Sequence, residues 1–124
     1  GPVGIFGEGA PHPRQYGTFA RVLGHYVRER GVLTLEEAVR KMSSQTALRL
    51  GIRNRGLLSE GYFADIAVFD ADEIIDKATF EDPHQYAVGM KFVLVNGEVV
   101  VEDGQHTGRR PGKIIYGPGY SDNN

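Results

Sequence analysis

Three side chains that can bind carboxylates or carbonyls lie near the amino end, in the run His12-Pro-Arg-Gln-Tyr16. The guanidinium of Arg14 can clamp a substrate carboxylate in bidentate fashion, and the imidazole of His12 can polarise a carbonyl or support a metal ligand. Tyr16 adds a phenol, a group that often serves as an amphipathic packing residue. The run therefore predicts either a substrate-binding site or a structural junction between a loop and a helix.

The sequence contains no self-contained catalytic or metal site. It has none of the short motifs that mark zinc, serine-nucleophile, phosphate or dinucleotide sites, such as H-x-H, H-E-x-x-H, C-x-x-C, G-x-S-x-G or a Walker glycine loop. A zinc site needs three or four convergent donors, usually including a local pair, and the four histidines are isolated. We therefore expect no catalytic residue and no metal ligand in this chain.

Two further polar residues stand out against their surroundings. His84 follows an Asp-Pro pair, and because Asp-Pro commonly starts a turn, a turn is favoured over a role as a ligand. Asp65 lies inside an apolar stretch, and a buried carboxylate needs a partner. We expect Asp65 to make a structural contact with Arg53 or Arg55.

The composition is that of an ordinary soluble globular protein. The 124 residues are 40% hydrophobic and 24% charged, with a formal net charge of −2. This balance gives no electrostatic reason to expect binding to nucleic acid or to an anionic membrane. The absence of cysteine fits a reducing compartment, which favours the cytoplasm. No stretch approaches the about 18 apolar residues of a membrane span, and no signal peptide is visible.

The first half of the chain is predicted to be helical. From Thr18 apolar residues recur at helical spacing, which predicts a helix with one buried face that ends at Gly31. Thr34 and Glu37 form a capping box ahead of a second helix, and a short third helix ends at Gly51. The apolar face of the first helix consists of Phe19, Val22, Leu23, Tyr26 and Val27.

The second half changes to strand periodicity. Residues 62–69 predict a largely buried strand, and residues 71–90 are predicted to be irregular. The runs 91–95 and 98–101 are joined by Asn96-Gly97, which supplies both positive φ angles of a type I′ hairpin turn. The predicted fold class is therefore α+β. Its four segments are a leading loop (1–17), a helical segment (18–60), a β segment (61–113) and a tail (114–124).

Five stretches of the sequence, in this order, resemble the carboxyl-terminal part of the D-aminoacylases, the N-acyl-D-amino-acid deacylases of the amidohydrolase superfamily. G-x-x-A-D-I-x-V-F-D and V-N-G are shared by many amidohydrolases, whereas H-P-R-x-Y-G-T-F narrows the resemblance to the deacylases. The stretches begin at His12, Leu35, Arg55, Val95 and Asp103.

The resemblance implies a (β/α)8 barrel with a small β-sandwich built from both chain ends, in which a zinc-bound hydroxide attacks the amide carbonyl. Residues 18–60 would be the last helices of the barrel, and residues 61–113 would belong to the composite sandwich. Arg14, with His12 and Tyr16, matches the motif at the mouth of the barrel, which makes Arg14 the expected ligand of the substrate carboxylate.

The resemblance also implies that zinc is the cofactor of the whole family protein and that its ligands precede this region. Glu8 stands near the expected Ser-Asp-Gly, but its longer side chain is a poor substitute for the catalytic acid. We therefore expect a fragment or subunit of a deacylase of small N-acyl amino acids, inactive alone. Its partner would be the rest of the barrel, or a second copy through self-association. The alternative is a non-catalytic association module derived from an amidohydrolase.

Overall fold

Helices precede a small antiparallel sheet in residues 9–120, the part of the chain that the computed structural model describes. The helical half contains α1 (Arg14–Arg21), a π-helical segment (Val22–Glu29), α2 (Leu35–Met42) and α3 (Ser44–Arg49). The strands are β1 (Ile66–Phe69), β2 (Met90–Val95), β3 (Glu98–Glu102) and β4 (Gln105–His106). None of the described helices is long and apolar enough to cross a membrane. The predicted α+β class is confirmed, and the prediction about Glu8 lies outside the described residues.

The first helix begins at Arg14 and not at Thr18, where the apolar repeat starts. Pro13 precedes it, and proline is common at helix starts because its φ is already helical. The imidazole of His12 accepts a hydrogen bond from the backbone N–H of Arg14 at 3.1 Å, which satisfies one of the free donors of the first turn. Because polar residues form this turn, apolar periodicity missed it, and residues 14–17 are helical instead of part of a loop.

The apolar face of the first helix is only partly buried. Beyond Arg21 the helix widens into the π-helical segment, in which the N–H of Arg30 donates to the carbonyl of His25, five residues back, at 2.9 Å. Leu23 lies in the core at 6% exposure, whereas Phe19 is 66% exposed. The described part of the chain therefore covers the predicted apolar face on the side that carries Leu23, and it leaves the side that carries Phe19 exposed.

Helix α2 starts with the predicted cap but with only half of the predicted capping box. The Thr34 hydroxyl accepts a hydrogen bond from the N–H of Glu37 at 3.2 Å. The Glu37 carboxylate instead accepts two hydrogen bonds from Arg40, at 2.7 and 2.8 Å, and this contact lowers the pKa of Glu37 to about 2. Gly31 and Gly51 adopt the left-handed φ expected of residues that end helices, 58° and 68°.

The sheet is an antiparallel meander in the order β1-β2-β3-β4. Asn96 and Gly97 have φ angles of 50° and 83°, which confirms the predicted hairpin between β2 and β3. Strand β1 covers only the second half of the predicted strand 62–69. The N–H of Phe63 donates to the carbonyl of Asn54, and the N–H of Asp65 donates to the carbonyl of Phe63, both at 2.9 Å. These backbone donors are used within the loop and do not join the sheet.

A cluster around Asp65 joins the loop after α3 to the hairpin. Asp65 accepts hydrogen bonds from the guanidinium of Arg55 and from the backbone N–H of Asn96, the second at 2.9 Å. Arg55 also donates to the side-chain oxygen of Asn96 at 2.6 Å and lies over the ring of Phe63, 4.1 Å from its centroid. Of the two arginines that the sequence left open, Arg55 is therefore the partner of Asp65.

Ile74 is the largest fully buried side chain in residues 9–120, at 1% exposure, although it lies in the region predicted to be irregular. It packs with Leu23 and Ala38. Two glycines allow the chain to come this close, because a Cβ at Gly24 would lie 2.3 Å from the carbonyl oxygen of Ile74 and one at Gly89 would lie 2.5 Å from its nitrogen. The irregular region is therefore held tightly against the π-helical segment.

Replacing Gly24 by alanine is expected to lower the free energy of unfolding by about 1–3 kcal/mol, the usual cost of overpacking. The clash with a backbone carbonyl outweighs the roughly 1 kcal/mol that alanine gains over glycine within a helix. Urea unfolding followed by circular dichroism measures the change. Gly112→Ala is the control, because a Cβ at Gly112 meets nothing within 4 Å. Wild-type stability of Gly24→Ala would show that the two segments do not make this contact.

Replacing Asp65 by asparagine is expected to lower the free energy of unfolding by about 1–2 kcal/mol at neutral pH, because a charge-assisted hydrogen bond is lost. Partial burial acts to raise the pKa of Asp65, but the hydrogen bonds from Asn96 and Arg55 outweigh it and hold the pKa below its usual value. The difference in stability between the two chains should have its full value above about pH 4. It should decrease as the pH falls further, because the wild-type carboxyl then takes up a proton.

Urea unfolding of the wild-type and Asp65→Asn chains at several pH values measures this effect. Arg53→Gln is the matched control, because Arg53 lies two positions from the true partner and does not contact Asp65 in an ion pair. A difference in stability that is the same at every pH would contradict the assigned pairing.

Candidate functional site

His12 and Arg14 lie at the start of α1 and line a cavity of about 440 Å³. Asp76 and Phe80, from the irregular region, also line it. The helix start fixes the two side chains relative to each other, because Arg14 is the first residue of α1 and its N–H is bonded to the ring of His12. Two of the three side chains that the sequence singles out therefore share one cavity.

The imidazole of His12 is held on two sides. Its Nδ1 accepts the hydrogen bond from the backbone N–H of Arg14, and the ring meets Phe80 edge to face, with centroids 4.9 Å apart. A backbone N–H can only donate, so the proton of the neutral imidazole is on Nε2. His12 thus has the structural role at the loop-helix junction that the sequence left open, and its Nε2 remains an N–H donor.

Arg14 is exposed, and its guanidinium makes no hydrogen bond or ion pair with a protein group in residues 9–120. Three other charged residues line the cavity: Arg21 and Asp76 form an ion pair at 3.4 Å, and Glu81 adds a further carboxylate. A planar guanidinium whose donors are not used by the protein can bind a carboxylate through two parallel hydrogen bonds. The geometry therefore permits the predicted contact with a carboxylate.

Gly17, in the middle of the same motif, allows the irregular region to approach α1. A Cβ at this position would lie 2.5 Å from the Cβ of Asp76. A residue without a side chain is needed here, and the close contact brings Asp76 within reach of Arg21. The glycine of the motif thus shapes one wall of the cavity through packing.

Tyr16 is not among the residues that line this cavity, and it lies instead in a cluster of rings with His84 and Tyr86. Its hydroxyl is 3.1 Å from Nδ1 of His84, and Nε2 of His84 is 2.8 Å from the carbonyl oxygen of Gly9. The ring of Tyr16 meets the rings of His84 and Tyr86 edge to face, with centroids 5.7 and 6.1 Å apart. The structure therefore separates Tyr16 from the pair formed by His12 and Arg14.

His84 is the polar residue of this region for which the sequence favours a turn over a role as a ligand. The turn is present, because the N–H of Asp82 donates to the hydroxyl of Thr79 at 2.9 Å. The same turn brings Phe80 to His12 and His84 to Tyr16. The sequence did contain a signal for these contacts, because aromatic and imidazole side chains are concentrated around the Asp-Pro pair. A turn that only faces solvent does not require such side chains.

No group of three or more His, Cys, Asp or Glu side chains in residues 9–120 is arranged to hold a metal ion. A zinc site requires three or four such donors at about 2.0–2.3 Å. The side chains of this part of the chain do not fit a zinc site, so we assign none of its chemistry to a metal.

Comparison with known proteins gives relatives along most of the chain. Residues 3–101 match the model of a family described as the amidohydrolase family. A D-aminoacylase from Alcaligenes xylosoxydans xylosoxydans is 47% identical over 115 residues, which are 93% of this chain and 24% of the relative. A crystal structure of D-aminoacylase is similar with a TM-score of 0.79 and 50% identity, over 81% of this chain and 21% of that one.

A second solved structure supports the same assignment. It is the N-acyl-D-glutamate deacylase from Bordetella bronchiseptica, complexed with zinc and a phosphonate inhibitor that mimics the tetrahedral intermediate. Its TM-score is 0.73 at 46% identity, over 78% of this chain and 21% of that one. The chain thus spans about a quarter of the curated relative and about a fifth of the solved structures. The chain belongs to the amidohydrolase family, and within it the chain is similar to the D-aminoacylases.

Proposed function

We propose that this chain forms the carboxyl-terminal portion of an N-acyl-D-amino-acid deacylase, which hydrolyses the amide bond of a small N-acyl amino acid. The observation that carries the proposal is the 47% identity to a D-aminoacylase over 93% of the chain. That stretch includes the H-P-R-x-Y-G-T-F motif, with the two cavity-lining side chains His12 and Arg14.

In this proposal Arg14 binds the carboxylate of the substrate. Support comes from its exposure, from the lack of a protein partner for its guanidinium in residues 9–120, and from its position in a cavity large enough for a small acid. His12 positions Arg14 through the hydrogen bond to its backbone. Tyr16 is the third substrate-binding residue of the proposal, and it acts from the separate cluster with His84.

The chain is inactive alone in this proposal, because the metal belongs to the part of the fold outside it. A solved relative, the N-acyl-D-glutamate deacylase, contains zinc, whereas the donor groups of residues 9–120 do not assemble a metal site. The contribution of this chain is therefore to bind and orient the substrate.

The exposed apolar surface of the chain supports the proposal that it packs against a partner. In the described part only five hydrophobic residues are buried, while large apolar side chains such as Leu58, 84% exposed, remain in contact with solvent. Apolar surface of this extent usually packs against other protein.

An apolar cavity of about 680 Å³ between α2 and β1 is the surface on which we propose that the rest of the barrel packs. Strand β1 is also at the end of the sheet order, so its outer edge can pair with a further strand. The helices would be the last of the barrel, and the sheet would be part of the composite β-sandwich. The apolar lining consists of Leu35, Val39, Leu57, Leu58, Ile66, Ala67 and Phe69.

A non-catalytic association module is the second candidate. It is favoured by the same exposed apolar surface together with the lack of a metal site in residues 9–120. The two candidates differ in the expected activity of a complex between this chain and the rest of a deacylase. Only the deacylase proposal predicts that such a complex hydrolyses substrate.

Mixing this chain with the preceding part of the Alcaligenes D-aminoacylase, truncated where the similarity begins, is expected to give zinc-dependent release of a free D-amino acid from its N-acyl derivative. Each part alone should give none, because neither contains the whole site. Colourimetric detection of the released amine measures the activity. A stable, well-folded complex without turnover would contradict the deacylase proposal and favour the association module.

Replacing Arg14 by glutamine in that complex is expected to lower kcat/KM roughly 10- to 100-fold, mainly through KM, because charge-assisted hydrogen bonds to the carboxylate are lost. A substrate with a carboxamide in place of the carboxylate should lose much less. Arg53→Gln, at another exposed arginine, is the control and should leave the kinetics unchanged. Equal losses of Arg14→Gln on both substrates would exclude a contact between Arg14 and the carboxylate.

A further inference from the structure

Glu81 lines the cavity at the start of α1 and lies at the tip of a turn that packs against this helix start. Two hydrogen bonds close the turn. The N–H of Thr79 donates to the carbonyl of Asp82 at 3.0 Å, and the N–H of Asp82 donates to the hydroxyl of Thr79 at 2.9 Å. Phe80, the neighbour of Glu81 in the turn, packs on the ring of His12. Glu81 is therefore held at the wall of the cavity.

The charged side chains of residues 9–120 that line this cavity are one ion pair and two groups that the protein leaves free. Asp76, whose side chain is only 8% exposed, forms the ion pair with Arg21. The guanidinium of Arg14 and the carboxylate of Glu81 make no hydrogen bond or ion pair with a protein group in residues 9–120. This part of the chain therefore offers a ligand one free cationic group and one free anionic group.

A ligand with two carboxylates does not match these charges. If Arg14 binds the first carboxylate, a second one in the same cavity is repelled by Glu81. A neutral side chain avoids this repulsion, and a cationic side chain replaces it by an attraction. Because the chain is similar to both a D-aminoacylase and an N-acyl-D-glutamate deacylase, at nearly equal identity, identity does not decide between these classes of side chain. The charges of the cavity do distinguish them.

We propose that Glu81 is a specificity-determining residue, which faces the side chain of the N-acyl amino acid and disfavours acidic side chains relative to neutral and basic ones. The inference rests on the proposed deacylase function and on the assignment of the substrate carboxylate to Arg14. It narrows the preferred substrates to N-acyl-D-amino acids with a single carboxylate. Because Glu81 acts through its charge, its effect depends on the charge of the substrate side chain and on ionic strength.

Two substrates of the same shape and different charge test this role in the reconstituted enzyme. The ratio of kcat/KM for N-acetyl-D-glutamine to that for N-acetyl-D-glutamate measures the discrimination against a second carboxylate. Glu81→Gln should lower this ratio roughly two- to fivefold, mainly through KM, which is the range of an interaction between exposed charges. Glu60→Gln is the control, because Glu60 is exposed and does not line the cavity. An unchanged ratio in Glu81→Gln would overturn the inference.

Reversal of the charge separates an electrostatic role from a structural one. Glu81→Lys should lower the same ratio further than Glu81→Gln, because repulsion of the second carboxylate becomes attraction. Both changes should become smaller in 1 M salt, where the Debye length falls to about 3 Å. Losses of equal size on the two substrates, independent of salt, would mean that Glu81 only supports the fold, and they would also overturn the inference.

Binding to the zinc-free complex provides a readout that does not depend on turnover. Isothermal titration calorimetry with the same two acids gives the ratio of their Kd values, and Glu81→Gln should change this ratio by the same factor. An equal ratio in the wild-type and Glu81→Gln complexes, or binding of neither acid, would overturn the inference. Failure of the deacylase function alone would instead appear as a zinc-loaded complex that binds these acids and hydrolyses neither.

Discussion

The close contact of Ile74 with the π-helical segment determines where the side chains of the candidate site lie. Arg28 donates hydrogen bonds to the carbonyls of Ala71 and Ile74, at 2.9 and 2.8 Å, and Gly24 provides the space for this approach. After Ile74 the chain runs along α1, where Asp76 packs against the helix. It then places Phe80 and His84 against the rings of His12 and Tyr16 at the start of α1. The site therefore depends on backbone packing in a region with little regular secondary structure.

That anchor also lies at the centre of the core of residues 9–120. Leu23, Ala38 and Ile74 form one small cluster, while apolar side chains on the outer sides of the helices and sheet remain exposed. A core of this size contributes little to stability compared with the backbone entropy of more than a hundred ordered residues. Packing of the exposed faces against the rest of a deacylase would add buried apolar surface, so we propose that the chain is more stable in such a complex than alone.

The conformation could be predicted from the sequence where neighbouring residues decide it. The hairpin at Asn96-Gly97 and the cap at Thr34 follow from the residues themselves, and the H-P-R motif identified the family. The conformation could not be predicted where the deciding contact is remote or polar. The first turn of α1 is polar and is capped by His12, so no apolar repeat marks it. The contact between Tyr16 and His84 spans 68 positions, and no local pattern encodes it.

Hydrogen exchange of this chain, alone and mixed with the preceding part of a D-aminoacylase, tests most directly whether the exposed apolar faces are the surfaces that complete a deacylase. Amides of α2 and β1 border the apolar cavity, and they are expected to exchange much more slowly in the mixture because the cavity is then covered. Exchange rates in α2 and β1 that are the same with and without the added part would contradict this assignment of the surface.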